Sequence, residues 1–174
     1  MNLVKWLNTN NIPNQRIIYH DNSNSIKSIN MFRCHLSKLP KDLENTSKVL
    51  KINLFKNCFK TIPSMIFNYK TLNSLYLKSN EIKFVSKKIA FLKNLKRLEL
   101  SNNQIKKLPN EIGTLQKLEV LDLWSNHLQY LPSNIVNLLH LKELYLDDNH
   151  DLELSERQKD WIKTLQNSGC TVLL

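Results

Sequence analysis

Two consecutive stretches, LKRLELSNNQIKKLPNEIGTLQK (95–117) and LEVLDLWSNHLQYLPSNIVNLLH (118–140), hold their apolar residues in step while nearly every polar residue changes. A duplicated active site would keep its polar groups and let the apolar ones drift. The opposite pattern marks a repeated packing unit. Slid along the chain, the pair gives a period of 23 residues, with lines starting at Ile26, Val49, Leu72, Leu95, Leu118 and Leu141. Three positions on stand Ile29, Ile52, Leu75, Leu98, Leu121 and Leu144, and two further on Met31, Leu54, Leu77, Leu100, Leu123 and Leu146. The ninth position reads Cys34, Asn57, Asn80, Asn103, Asn126, Asn149, and the eleventh Leu36, Phe59, Ile82, Ile105, Leu128, failing at Asp151. Most lines close on Leu39-Pro40, Ile62-Pro63, Leu108-Pro109 or Leu131-Pro132, with Val85-Ser86 as the exception. Apolar spacing of three and then two is not the 3.6-residue period of a coiled coil or helix bundle.

The pattern L-x-x-L-x-L-x-x-N/C-x-L resembles the leucine-rich repeat family. The 23-residue line and its LPxxI close resemble the intracellular Ras-group and bacterial-effector classes, over residues 26–154. The resemblance implies an α/β fold: a right-handed solenoid of about six repeats with a parallel concave sheet, capped at both ends.

The residues support that expectation independently. One line cannot bury its apolar face alone, so neighbours stack and share a core. The L-x-L pair suits a short strand whose alternate side chains point inward. An asparagine at the ninth position has donors and an acceptor for turn backbone groups in its own and the adjacent coil. Cys34, a weak donor, suits a less demanding first coil. Proline after the second apolar block can open a helical turn on the outer side.

Residues 1–25 do not fit the line and are expected to form an N-terminal cap, with a short amphipathic helix around Leu3, Trp6 and Leu7 and then RIIY in extended form. Residues 155–174 are expected to form a C-terminal cap. It would begin with a capping box from Ser155 to Gln158, bury Trp161, Ile162 and Leu165 on one helical face, stop at Gly169 and end with TVLL as a last parallel strand. With both ends covered and scarcely any glycine for linkers, the sequence reads as one whole repeat array.

The positions between the leucines face solvent on the concave side, which makes that side an extended binding surface. Read in columns, it runs from a basic N-terminal half (Arg33, Lys51, Lys56, Lys78, Arg97) to an acidic C-terminal half (Glu99, Asp122, Glu143, Asp147, Asp148). Aromatics stand among them: Phe32, Phe55, Tyr76, Trp124 and Tyr145. With strands about 4.8 Å apart the poles would be separated by roughly 20 Å. That exceeds a Debye length of about 8 Å, so each pole is expected to make its own contact. Aromatic anchors flanked by charge suit a protein partner. The plain alternative is that these positions drift and a surface tryptophan is incidental. By resemblance, the partner would be a small GTPase, a signalling protein or a host protein.

The net charge of +10 lies mostly elsewhere. Lys38, Lys60, Lys83, Lys106 and Lys107 follow the eleventh position, and Lys48, Lys70, Lys93 and Lys117 close successive lines. These ladders offer an alternative contact with an anionic membrane or, with less support, nucleic acid. A solvated face is the simpler reading, and no recognition helix, RNA-binding aromatic motif or zinc spacing favours nucleic acid.

Enzyme chemistry finds little to work with. His35, His127 and His150 share one column near Asp148 and Asp151, but read more simply as polar turn residues than as metal ligands. Ser125, His127 and Asp122 spell a nucleophile, a base and an acid, yet an open trough supplies neither water exclusion nor an oxyanion hole. Cys58 and Cys170 have no spaced His and acid partners. With 2 glycines there is no phosphate-cradling loop. No catalytic site, metal, cofactor or small-molecule substrate is expected. Three cysteines without paired spacing, and no signal peptide or membrane-length apolar run, point to the cytoplasm or to delivery into a host cell without a cleaved leader.

Overall fold

In the computed structural model, which describes residues 3–13, 17–19, 26–41, 43 and 48–174, each coil contributes one short strand and an outer return. The strands are β1 (Ile17–Tyr19), β2 (Ile26–Asn30), β3 (Lys51–Asn53), β4 (Ser74–Tyr76), β5 (Arg97–Glu99), β6 (Val120–Asp122), β7 (Glu143–Tyr145) and β8 (Thr171–Leu173). They form one open sheet in chain order. β1 runs antiparallel to β2, and from β2 onward every pair is parallel. Register steps by one repeat per strand: Ile29, Ile52, Leu75, Leu98, Leu121 and Leu144 form one continuous inward row that ends on Val172. The six leucine-column residues are fully buried, and with the rows above and below they make one core from end to end.

The asparagines tie neighbouring coils together. Asn80 donates through Nδ2 to Leu77 O at 2.9 Å in its own coil and to Leu54 O at 3.0 Å in the coil before. Its Oδ1 accepts from Phe59 N at 3.0 Å. Asn103, Asn126 and Asn149 repeat this arrangement. Each side chain reaches toward the N-terminal neighbour, so the described first coil has less to satisfy. Cys34 Sγ donates weakly to Phe32 O, and its N–H donates to Asn57 Oδ1 at 3.1 Å.

On the outer side the expected helical turns that lie wholly among the described residues are five-residue 3-10 turns, Ser64–Asn68, Lys87–Phe91, Asn110–Thr114 and Ser133–Asn137, while the turn expected after Pro40 falls partly outside them. Pro63, Pro109 and Pro132 precede three of them, where a missing N–H costs nothing. The odd coil uses Ser86, whose hydroxyl accepts from Lys88 N at 3.2 Å. A 3-10 turn is wound tighter than an α-helix, so the outer side diverges less from the spacing of the strands inside.

At the N-terminal end, α1 (Leu3–Thr9) places Leu7 in the core with Trp6 half-buried. Arg16 of the RIIY stretch lies outside the described residues. At the other end, α2 (Glu156–Asn167) buries Trp161, Ile162 and Leu165. Gln158 reaches back to accept from Ser155 N at 3.0 Å and donates to Leu131 O at 2.9 Å, which joins the cap to the last coils. Gly169, at φ 86°, ends the helix: its N–H bonds Gln166 O and the Cys170 N–H bonds Leu165 O. That 5→2 and 6→1 pairing is a Schellman stop, which turns the chain into β8.

Candidate protein-binding face

The residue columns of the concave face stand in register. Ser28, Lys51, Ser74, Arg97, Val120 and Glu143 form one row, and Asn30, Asn53, Tyr76, Glu99, Asp122 and Tyr145 the next. Phe32, Phe55, Tyr76, Trp124 and Tyr145 are all half-buried, held against the sheet with one side facing out. Cations lie over several of the rings. The Arg33 guanidinium sits 6.0 Å from the Phe55 centroid, Lys51 Nζ 4.9 Å from Tyr76, and Lys78 Nζ 5.2 Å from Trp124. Contacts of this kind contribute about 0.5–1 kcal/mol at exposed sites, enough to bias ring orientation.

The two charge poles are not separate. Arg97 reaches Glu99 at 3.2 Å and Glu143, two coils away, at 3.4 Å. It can do so because the intervening residue is Val120, short, apolar and buried beneath the bridge. Lys78 likewise spans two coils to Trp124 across Ser101, which is fully buried. Small residues in mid-trough therefore let the basic and acidic halves interlock. The expected gap of roughly 20 Å between independent poles is replaced by direct contact at the centre.

Burial pushes the Glu99 carboxyl above the ordinary carboxylate range, although the Arg97 hydrogen bond pulls it down. Burial and the nearby Glu143 carboxylate raise the Tyr145 hydroxyl, which donates to Glu143 Oε2 at 3.2 Å. Asp122 is held at both oxygens: Ser101 Oγ donates to Oδ2 at 2.5 Å, and Trp124 N donates to Oδ1 at 3.2 Å. Asp147 differs. Its Oδ1 is buried and has no hydrogen-bond partner. Asp147 joins Lys78, Asp122, Trp124, Tyr145 and Leu173 around a shallow depression of about 310 Å³.

Of the concave-face residues singled out in the sequence, Lys78, Asp122, Trp124, Tyr145 and Asp147 come together in this depression, and Arg97, Glu99 and Glu143 form the bridge beside it. Phe32, Arg33, Lys51 and Phe55 lie on the N-terminal coils, and Tyr76 carries Lys51. Leu173 is an addition that column reading missed.

A second depression, of about 620 Å³, lies on the flank of the stack and was also missed. Phe84 and Tyr130 line it with Lys87, Lys107 and Glu111, and the two aromatics are 53% and 49% exposed. Phe84, Lys107 and Tyr130 occupy one repeat position, so the signal was present in the column just before the second apolar block. His35, His127 and His150 are exposed, and among the described residues no group of three or more His, Cys, Asp or Glu is placed to hold a metal ion. No described helix is long and apolar enough to cross a membrane.

A family model described as a leucine-rich repeat region matches residues 25–167. No curated protein matches the sequence. Among solved structures, the chain is similar to a leucine-rich repeat protein of Leptospira interrogans, at 30% identity and TM-score 0.75, over 100% of this chain and 40% of that one. It is also similar to an internalin from Listeria monocytogenes, at 25% identity and TM-score 0.71, over 84% of this chain and 40% of that one. The chain thus spans well under half the length of either protein. A plant peptide hormone receptor, RGFR1, solved in complex with RGF2, shares the fold at 24% identity and TM-score 0.66, over 85% of this chain and 24% of the receptor.

Proposed function

The chain belongs to the leucine-rich repeat proteins, whose fold is generally a non-enzymatic protein–protein interaction module, and on that premise we propose that it captures a protein partner on its concave sheet. The observation that carries the proposal is the set of half-buried aromatics Phe55, Tyr76 and Trp124, each with a cation of its own chain over the ring. Rings already seated on a rigid ladder lose little conformational freedom on binding, so their contact area converts efficiently into affinity. A signalling adaptor and a bacterial effector both fit this reading. The corresponding partners are a small GTPase or signalling protein, and a host protein. The three free cysteines suit a reducing compartment. In the test, Trp124→Ala combined with Tyr145→Ala should leave the melting temperature within a few degrees and abolish partner capture. Unchanged capture would move the site off the trough.

A second reading is favoured by one feature, the exposed Phe84 and Tyr130 on a flank that also carries Lys83, Lys87, Lys106 and Lys107. Aromatics among lysines suit the surface of an anionic membrane. Co-sedimentation with phosphatidylserine vesicles, lost in high salt and in Phe84→Ser with Tyr130→Ser, would support it. No sedimentation at low salt removes it.

A further inference from the structure

The depression at the C-terminal end of the trough does more than offer area, and the geometry points to a socket for one cationic side chain, an arginine or lysine, of the protein partner. This rests on the concave-face reading above and names what the face selects.

The residues carry the inference in three ways. First, Asp147 Oδ1 is buried and unpartnered, whereas both oxygens of the neighbouring Asp122 are occupied by Ser101 and the Trp124 N–H. A buried carboxylate oxygen without a donor bears its full desolvation cost, and an incoming N–H that met it on a turn of the Asp147 side chain would recover that cost. Second, the walls are Trp124 and Tyr145, whose ring faces attract cations. The chain uses this itself, since Lys78 Nζ lies 5.2 Å from the Trp124 centroid. Third, the volume of about 310 Å³ is at the floor of the roughly 300–1,000 Å³ range of small-molecule pockets, and Leu173 closes one side with apolar surface. A side chain with an aliphatic stem and a charged tip fits such a site. An anionic ligand does not, because Asp122 and Asp147 both line it.

Lys78 is then an internal competitor. It occupies the Trp124 face in the free protein and must be shared or displaced when the partner's cation arrives. An arginine has the advantage over a lysine, because a planar guanidinium can stack on the indole while donating to Asp147.

The probe is N-acetyl-arginine amide, with N-acetyl-citrulline amide as its neutral isostere, followed by NMR at the Trp124 indole N–H, assigned with Trp124→Phe. Arginine should shift this resonance saturably, and citrulline should not. Asp147→Asn should weaken the arginine response at least fivefold, and Lys78→Met should strengthen it at least threefold. Equal responses to arginine and citrulline, no response to arginine, or an unchanged response in Asp147→Asn would each overturn the inference. Partner capture separates the two readings. Capture lost in Trp124→Ala with Tyr145→Ala but intact in Asp147→Asn would leave the trough as the binding face and remove the socket.

Discussion

Asn103 and Asn126 share one acceptor: both donate through Nδ2 to the carbonyl of Leu100, at 2.9 and 3.0 Å. Leu54, Leu77 and Leu123 are shared in the same way by the asparagine of their own coil and that of the next. The ladder is therefore a chain of alternating amides and carbonyls, and its links are not independent. Asn126→Ala alone leaves Ile105 N without its side-chain acceptor and Leu100 O with one donor, and should cost about 2–4 kcal/mol. Adding Asn103→Ala strips Leu100 O of both donors. Urea denaturation should show the double variant losing more than the sum of the singles, by about 0.5–1 kcal/mol. Strict additivity would mean that the shared carbonyl is satisfied in some other way.

The columns were legible in the letters because parallel strands one repeat apart place equal positions side by side, and the structure keeps that register from β2 to β7. The cross-trough contacts were not. Whether Arg97 meets Glu143 or Lys78 meets Trp124 depends on how far a long side chain reaches over the residue between, here Val120 and Ser101. The left-handed turns were also hidden. Arg33, Lys56, Ser79, Asn102, Ser125 and Asp148 all lie at φ 51–57°, one repeat position in every coil, yet none is glycine, the usual marker of such a position.

Ser125 offers the test of that turn. Its N–H donates to Asp147 O at 3.0 Å, so the left-handed residue is held by the ladder itself. Ser125→Val places a β-branched side chain at φ 51° and should cost about 1–2 kcal/mol. Ser125→Gly removes the strain and should cost nothing measurable. If both substitutions lower the urea midpoint alike, the loss comes from the hydroxyl and not from the backbone.

Gly113 is required for a different reason. A Cβ there would come within 2.0 Å of Asn134 O on the next outer turn, although the same position holds Ala90 one coil earlier and Val136 one coil later. The outer turns Asn110–Thr114 and Ser133–Asn137 thus approach more closely than their neighbours can. Gly113→Ala must push backbone against backbone, and a loss of about 1–3 kcal/mol is expected by thermal or urea unfolding. A neutral result would show that the turns separate freely.

Glu99 sets the pH response of the trough. Burial raises its carboxyl above the ordinary value of 4.5, and this outweighs the opposing hydrogen bond from Arg97. A carboxyl with a higher pKa folded than unfolded binds more protons in the native state between those two values, so ionising it lowers stability as pH rises through that window. The penalty is absent below 4.5 and fully present above the folded pKa. Gln at this position cannot ionise. Relative to the parent, Glu99→Gln should therefore be more stable at pH 7 than at pH 4, as read from urea midpoints at the two pH values. The size of the effect is limited because the ion pair is partly solvated, with side-chain exposures of 34% for Arg97 and 21% for Glu99. If the variant instead loses ground between pH 4 and pH 7, the Arg97 contact outweighs the cost of burying the charge. Glu99 would then act as a stabilising clamp on the bridge to Glu143 instead of a strained member of it.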